Sequence, residues 1–262
     1  MSRSIPPNSL IDRRSSSHRM APTPRKTPAS KSPLARRPGV RELAAQATRD
    51  SILKAATKVF AKHGFDGGRV EQISKAAKSY DRMIYYYFGS KEGLFIAVLE
   101  EMYARFNEAE SDLRLNLGEP VEALKIIIGF MASYYQKHPE FVTLLNAENL
   151  HRGKHISKSL RAREYSSPAI AVLDGVLKSG AAHGLFRTDV RARDVYLMIA
   201  ALGYFYVSNR FTLSAFLGEQ LDTAEALSGW RDFIVDAVLR TVAIDSHAKP
   251  TRARSALASA RA

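Results

Sequence analysis

The sequence contains no cysteine among its 262 residues. Disulfide bonds, thiolate catalysis and cysteine-ligated zinc sites are therefore excluded. Long apolar runs are lacking as well, because the longest uncharged one, residues 195–207, has thirteen residues, too few to span a bilayer. The first forty residues contain no apolar stretch of the length that a secretory signal needs. We therefore expect a cytoplasmic protein with no membrane partner.

Catalytic motifs are missing too. There is no Gly-rich phosphate loop, no Gly-x-Ser-x-Gly and no acid/base pair in a supporting context, so neither an enzyme nor a cofactor is expected. Glu148, His151 and His155 stand at i, i+3 and i+7, a spacing with which one helix face could bind a metal. Gly153 is expected to end this helix first. Helix caps, surface contacts or a polar network at the edge of a pocket are therefore the favoured interpretation.

Charge is distributed unevenly along the chain, whose formal net charge is +13. Residues 1–50 hold 11 Lys and Arg against 3 Asp and Glu, and residues 245–262 hold 4 against 1, whereas residues 51–244 hold 24 against 22. The ends are also poor in large apolar side chains, so we predict disordered basic tails at 1–45 and 245–262. Such tails favour polyanions, including nucleic acid. The alternative is a solvated tail without a specific partner.

Apolar residues recur at helical spacing from about Glu42 onward, and no strand pattern is evident. The sequence therefore predicts an all-α fold. We expect a three-helix domain at 46–106 and a larger helical domain at 107–244. Two segments, 190–208 and 222–242, are too apolar for lone surface helices. Two such helices from each subunit would form a four-helix bundle in a homodimer.

Two short helices separated by a tight turn are predicted between residues 69 and 88, braced by a preceding helix. The second, residues 81–88, is slim enough to enter the major groove of DNA. Arginine can pair with guanine or phosphate, and tyrosine hydroxyls can bind phosphate. We favour a base contact for Arg82 and a phosphate contact for Tyr85, whereas the spacing of Tyr87 and Phe88 with Ile84 favours core positions. The residues predicted to face outward are Arg82, Met83, Tyr85 and Tyr86.

The stretch 49–106 resembles the DNA-binding domain of the TetR family of bacterial regulators. The segments "ILKAATKVFAKHGFDGGRVEQISKAA" and, more specifically, "IYYYFGSKEGLF" carry the resemblance. It implies a helix-turn-helix DNA-binding domain at 46–106 and a helical ligand-binding and dimerisation domain at 107–244. It also implies a transcriptional repressor that a small-molecule effector releases from a double-stranded DNA operator, and a homodimer on a palindromic site. The DNA-contacting positions that it implies are Arg69, Ser79, Tyr80, Arg82, Met83, Tyr85, Tyr86 and Lys91.

The chain departs from the family pattern at two places. Lys78 replaces the common turn glycine, so the turn is expected to need left-handed strain or a different cap. Asp81-Arg82-Met83 replaces the common Lys-Gly-Thr. Asp81 would repel phosphate, but it could orient Arg82 or accept a hydrogen bond from a cytosine amino group. We therefore do not expect the operator to match those of better-known relatives.

Aromatic and polar residues of the later helices could surround an effector cavity. The alternative is that each of them is ordinary core. A long helix, predicted for 91–116, would join the cavity to the DNA-binding domain. A non-specific nucleoid-type DNA-binding protein remains the alternative function. The residues predicted to line the cavity are Tyr134, Phe141, Leu145, Asn149, Tyr165 and Tyr204.

Overall fold

In this computed structural model, the chain is described for residues 39–161 and 167–244. Most of the two predicted tails and Tyr165 lie outside these ranges, and the first helix already begins inside the predicted tail at Val40. The described residues are all-α apart from one isolated antiparallel bridge between Phe186 and Ala243. None of their helices is long and apolar enough to cross a bilayer. The helices are α1 (Val40–Gly67), α2 (Val70–Ala76), α3 (Asp81–Phe88), α4 (Lys91–Ser111), α5 (Pro120–Lys137), α6 (Pro139–Leu150), a 3₁₀ turn (Ile156–Lys158), α7 (Ser167–Ala182), α8 (Ala192–Leu217) and α9 (Ala224–Val242).

The first helices pack around phenylalanine rings. Phe60 and Phe95 are fully buried, with their ring centroids 5.0 Å apart at an angle of 80°. Gly64 adopts φ = 67°, which redirects the end of α1 and turns Phe65 onto Phe95 with 5.2 Å between the centroids. A Cβ at Gly68 would come within 2.6 Å of the Phe60 ring. The turn after α1 therefore needs glycine at both positions, once for its dihedral angle and once for space.

Helix α4 extends from the packed helices α1 and α3 into the rest of the fold. It begins at the N-cap Ser90, whose hydroxyl accepts a hydrogen bond from Gly93 N at 2.9 Å. It ends at Ser111, earlier than the predicted end near Asn116. Asn116 Oδ1 instead accepts from Gly118 N at 2.9 Å. The prediction of the end was wrong, because the hydroxyl of the last helical residue, Ser111, donates to Glu108 O at 2.7 Å, a local bond that competes with continued helical hydrogen bonding.

Helix α5 packs against α7, α8 and α9, and α6 packs against α1 and α8. Helix α8 continues past the predicted end at Ser208 to Leu217, where Gly218 stops it with φ = 70°. Ile199 and Val207 lie on its buried side, whereas Phe205 is exposed. The same helix therefore contributes to the core and presents an apolar outer face.

Candidate nucleic-acid interface and internal cavity

Helix α3 divides its residues between a buried and an exposed face. Ile84 is fully buried, and Met83, Tyr87 and Phe88 are half-buried against the same core. The exposed residues of α3 and of its N-cap are Tyr80, Asp81, Arg82, Tyr85 and Tyr86. One cationic, one anionic and three phenolic side chains thus share the outer surface of a helix that is only eight residues long.

The turn before α3 holds a strained lysine. Lys78 adopts φ = 51°, so of the two outcomes expected from the missing glycine, left-handed strain or a different cap, the structure shows the left-handed conformation. This conformation costs a residue with a Cβ about 1–2 kcal/mol. Surrounding bonds hold the turn in place, because Ser79 N donates to Ser74 O at 2.9 Å and Ser51 Oγ donates to Ala77 O at 3.1 Å.

Asp81 stabilises the motif from within. Its Oδ1 accepts a hydrogen bond from the hydroxyl of Ser74, which lies on α2. The guanidinium of Arg82 instead lies 5.3 Å from the centroid of the Tyr80 ring. The sequence offered two roles for the Asp81 carboxylate, toward Arg82 or toward a cytosine. Its observed partner is different, because the packing of α2 against α3 brings a hydroxyl to it.

Two basic residues flank the motif. Arg69 is exposed at the N-cap of α2, and its backbone N–H donates to Gln72 Oε1 at 3.2 Å. Lys91 is half-buried at the start of α4, where its ammonium lies 4.8 Å from the centroid of Phe65 and donates to Asp66 O at 3.3 Å. The contacts of Lys91 thus fix its ammonium beside the end of α1, whereas only the backbone of Arg69 is fixed, at the start of α2.

A cavity of about 470 Å³ lies between α4, α6 and α8, away from this face. Six of the side chains around it are aromatic rings, and two are amides. Its lining consists of Tyr103, Phe106, Asn107, Tyr135, Phe141, Leu145, Asn149, Ile156, Tyr196, Leu197, Ala200, Ala201 and Tyr204.

The tyrosine hydroxyls around the cavity remain protonated at neutral pH. Burial raises the pKa of Tyr103 to about 12 and raises that of Tyr135 still further. The hydroxyl of Tyr204 donates to Asn146 Oδ1, and Asn146 Nδ2 donates to Ser208 Oγ at 3.0 Å. The cavity therefore combines apolar ring faces with neutral polar groups held at defined positions.

A buried carboxyl lies close to this wall. Glu110 stands one turn beyond Phe106 and Asn107 on α4 and is 6% exposed. Burial raises its pKa from the ordinary value of 4.5 to about 7. A negative charge on Glu110 also contributes to raising the pKa of Tyr196, after the larger effect of that residue's own burial. The carboxyl therefore changes charge near neutral pH beside the aromatic cavity.

Two family models match the chain. The model for bacterial regulatory proteins of the tetR family matches residues 52–98, and the model for the tetracyclin repressor-like C-terminal domain matches residues 120–238. The chain belongs to the TetR family. It is therefore a DNA-binding transcriptional regulator, and the resemblance seen in the sequence is confirmed.

Several proteins of known sequence or structure are similar to this TetR-family chain. The HTH-type transcriptional repressor NicS of Pseudomonas putida is 56% identical over 205 residues, which cover 78% of this chain and 97% of the repressor. The repressor SCO4008 of Streptomyces coelicolor is 28% identical over 60% of this chain and 77% of its own length. The structure of the fatty acid degradation regulator FadR from Bacillus halodurans matches with a TM-score of 0.55 and 22% identity, covering 78% of this chain and 97% of FadR. This last similarity confirms the predicted all-α fold.

The predicted cavity residues of the TetR-family chain divide into three groups. Phe141, Leu145, Asn149 and Tyr204 line the cavity. Tyr134 lies instead beside a smaller cavity of about 260 Å³, with its ring centroid 4.1 Å from that of His138. Tyr165 is outside the described residues. The sequence prediction missed the face that α4 contributes, although Tyr103, Phe106 and Asn107 stand at i, i+3 and i+4.

The eight predicted DNA-contacting residues all lie on the motif or beside it, but not all are equally accessible. Arg69, Tyr80, Arg82, Tyr85 and Tyr86 are exposed. The half-buried members of the set are Ser79, Met83 and Lys91. Met83 packs against the core, so its side chain is the least available for contact with a base.

The segment with Glu148, His151 and His155, for which helix caps, surface contacts or a polar network were expected instead of a metal site, forms a buried pair. Helix α6 ends at Leu150, and the chain reverses at Arg152 and Gly153 with φ = 58° and 70°. Among the described residues, no group of three or more His, Cys, Asp or Glu side chains is arranged to hold a metal ion. Glu148 and His155 are nevertheless close, with 2.7 Å between a carboxylate oxygen and Nδ1. They form a buried pair rather than surface contacts.

Proposed function

We propose that this regulator is a homodimeric repressor that binds a palindromic operator through α3 and leaves it when a small aromatic effector fills the α4–α6–α8 cavity. The observation that carries the proposal is the connection between the two sites by α4. This helix begins beside the recognition surface at Lys91 and contributes Tyr103 and Asn107 to the cavity wall. The name of the similar NicS protein, a transcriptional repressor, supports repression rather than activation.

The exposed face of α3 supports direct reading of DNA. Arg82 has the fork of donors that pairs with guanine, and we assign it a base contact. Tyr85 and Tyr86 are assigned to phosphates through their hydroxyls. Met83 is assigned to positioning α3, because it is half-buried. The residues assigned to the phosphates that flank the groove are Arg69, Ser79, Tyr80 and Lys91.

The outer faces of α8 and α9 support a dimer. Tyr206 and Trp230 stack with centroids 4.9 Å apart, and Trp230 stacks on Phe233 at the same distance. Phe205 is 54% exposed and Phe233 is 53% exposed, and both line an apolar groove between the two helices. Exposed apolar surface of this kind marks an interface. A twofold axis through it would pair two α3 helices with two half-sites of a palindrome.

The cavity supports an aromatic effector. Its six rings offer stacking and edge-to-face contacts to a planar molecule. The amides of Asn107 and Asn149 are suited to polar substituents at the edge of such a molecule. An occupant that shifts α4 would favour a state that binds DNA poorly, with a typical coupling of about 1–3 kcal/mol.

Substitution of Arg82 tests the DNA-binding half of the proposal. A preferred duplex is first selected from random DNA with the full-length protein. Arg82→Ala is expected to relax the preference at one base position and to weaken binding to the selected duplex by about 1–3 kcal/mol. Arg193→Ala, an exposed arginine of α8, is the control and is expected to change neither. Equal affinity for selected and scrambled duplexes over a salt series would instead favour the nucleoid-type alternative.

Ligand binding tests the second part of the proposal, that the cavity is the effector site. Small aromatic compounds are screened for those that raise the melting temperature and release the selected duplex. Ala200→Trp should abolish the increase in melting temperature, because Ala200 lines the cavity and an indole there occupies it. Compounds that release DNA from the Ala200→Trp protein as well as from the unmodified one would contradict the assignment of the cavity.

A further inference from the structure

Glu148 and His155 form a buried pair that belongs to neither site. Glu148 is 4% exposed and His155 is 1% exposed. One carboxylate oxygen of Glu148 accepts from the backbone N–H groups of His155 and Ile156 at 2.8 and 2.9 Å. The other lies 2.7 Å from His155 Nδ1. Since the carboxylate can only accept, Nδ1 is assigned the proton.

The loop after α6 is shaped to make this pair. Arg152 and Gly153 both adopt positive φ angles, so the chain turns back and brings residues 155 and 156 to Glu148. A positive φ is unfavourable for arginine and persists only where neighbouring contacts determine it. The bonds that converge on the Glu148 carboxylate supply those contacts. The loop therefore has one defined conformation, and that conformation depends on Glu148.

The imidazole of His155 packs against the DNA-binding helices. Its ring centroid lies 4.3 Å from that of Phe65 and 5.0 Å from that of Phe95. Phe65 lies in the last turn of α1, past the kink at Gly64, and this turn leads to Arg69, the N-cap of α2. His155 Nε2 has no hydrogen-bond partner among the described residues, so packing against the neighbouring rings alone holds this end of the imidazole in place. A displaced His155 ring would therefore displace the turn that positions α2 and α3.

The same pair is adjacent to the cavity. Asn149 follows Glu148 and lines the cavity, and Ile156 follows His155 and also lines it. An occupant that moves either residue acts on the buried pair across a single peptide unit. The pair is thus in direct contact with the DNA-binding helices on one side and covalently joined to the cavity wall on the other.

We propose that Glu148 and His155 are positioning residues that transmit occupancy of the cavity to α2 and α3. This inference rests on the proposed function, in which the cavity is the effector site. A second link between the loop and α4, the ion pair of Lys158 with Glu92 at 2.6 Å, is exposed to solvent. Exposed pairs of this kind are weak and screened by salt. Two further links join this region to the DNA-binding helices: the hydrogen bond of Ser159 with Glu100 on α4, and the packing of α1 against α6. The buried pair differs from them because it contacts Phe65 and Phe95 directly and adjoins two residues of the cavity wall, so it acts beside α4 in the coupling.

A double-mutant cycle on the full-length protein tests this role. Ala200→Trp supplies a tethered aromatic occupant, so no effector needs to be known. His155→Phe keeps a ring against Phe65 but removes the bond to Glu148. His155→Asn keeps a donor at the place of Nδ1 but removes the ring. Lys158→Ala is the matched control, because it breaks the exposed link of the same loop. The dissociation constant for the selected duplex is measured with and without Ala200→Trp in each background.

Ala200→Trp is expected to weaken DNA binding at least about 5-fold in the unmodified and Lys158→Ala backgrounds, the lower end of typical coupling. In the His155→Phe and His155→Asn backgrounds the loss should fall below about 2-fold. The same loss in all four backgrounds overturns the inference and leaves the proposed function intact. No loss in the unmodified background removes the cavity from control of DNA binding, and the inference falls with it.

Amide hydrogen exchange provides a second measurement that does not depend on the operator. Exchange in the turn of residues 65–68 should differ between the Ala200→Trp protein and the unmodified one. His155→Phe should abolish that difference, whereas Lys158→Ala should preserve it. A difference that survives His155→Phe overturns the inference even where DNA binding is too weak to measure.

Discussion

The recognition motif and the cavity are built in opposite ways. The motif is contiguous in sequence, and its exposed tyrosines and Arg82 lie on a helix that displays them to solvent. The cavity collects residues from α4, α5, α6 and α8 together with Ile156, and it buries tyrosines near Glu110. A contiguous surface depends on local helical geometry, whereas an internal cavity depends on how distant helices pack.

This difference has a consequence for polar groups. In the motif, the exposed polar side chains remain hydrated, so their charges cost little free energy in the unbound protein. Around the cavity, burial raises the pKa of Glu110, Tyr103 and Tyr135. The regulatory half should therefore be the part of the molecule whose stability responds to pH near neutrality.

The largest expected effect is on the free energy of unfolding, and it should differ between the buried and the exposed face of α3. Ile84→Ala should lower the free energy of unfolding by about 2–5 kcal/mol, because it removes a fully buried side chain. Tyr85→Ala, on the exposed face, should change it by about 0.5 kcal/mol or less. Urea unfolding measures both, and binding to the selected duplex should weaken for Tyr85→Ala. Similar losses of stability for the two variants would contradict the division of α3 into a core face and a DNA face.

A pH-dependent effect should distinguish the cavity from the motif. The pKa of Glu110 is raised in the folded protein, so its favourable contribution is present below about pH 4.5 and is lost as the pH rises through about 7. Glu110→Gln should thus be more stable than the unmodified protein at pH 8, by at most about 3 kcal/mol, and nearly equal to it at pH 5. Urea unfolding across this range measures the difference.

The control for this experiment is Glu108→Gln, an exposed position on the same helix. It should show no comparable dependence on pH. A gain for Glu110→Gln of the same size at pH 5 and pH 8 would mean that packing, rather than ionisation, determines the effect.

The smallest expected effect concerns the strained turn of the motif. Lys78→Gly should raise the free energy of unfolding by about 0.5–1 kcal/mol, because glycine accepts positive φ without the penalty that a Cβ carries. Lys75→Gly, within α2, should instead lower it by about 1 kcal/mol. Thermal unfolding of the pair measures the contrast. A loss of stability at both positions would show that the conformation of Lys78 is not a source of strain.

The sequence was informative where neighbouring residues determine the outcome. The predicted bounds of α3 agree with the structure, because helical periodicity is a property of neighbouring residues. Lys78 adopts the left-handed conformation, one of the two outcomes expected where lysine replaces the turn glycine, because backbone strain is also determined within a few residues. Tyr134 and Tyr135 show the limit. Both are buried on the apolar side of α5, yet only Tyr135 lines the cavity. Adjacent residues differ by a fraction of a helical turn, and hydrophobic patterning does not reveal which neighbouring helix each will meet.

The role of Asp81 and the pairing of Glu148 with His155 could not be read from spacing for a similar reason. Each depends on a partner that only tertiary packing brings close. Asp81 accepts from the hydroxyl of Ser74 on α2, and Glu148 meets His155 because the loop after α6 turns back. The helices, the family and the exposed face of the motif follow from the amino-acid order, since local geometry and solvent exposure act along the chain. The cavity, its buried carboxyl and its contact with the DNA-binding helices arise only in the tertiary structure, because they require side chains from separate helices to be packed together away from water.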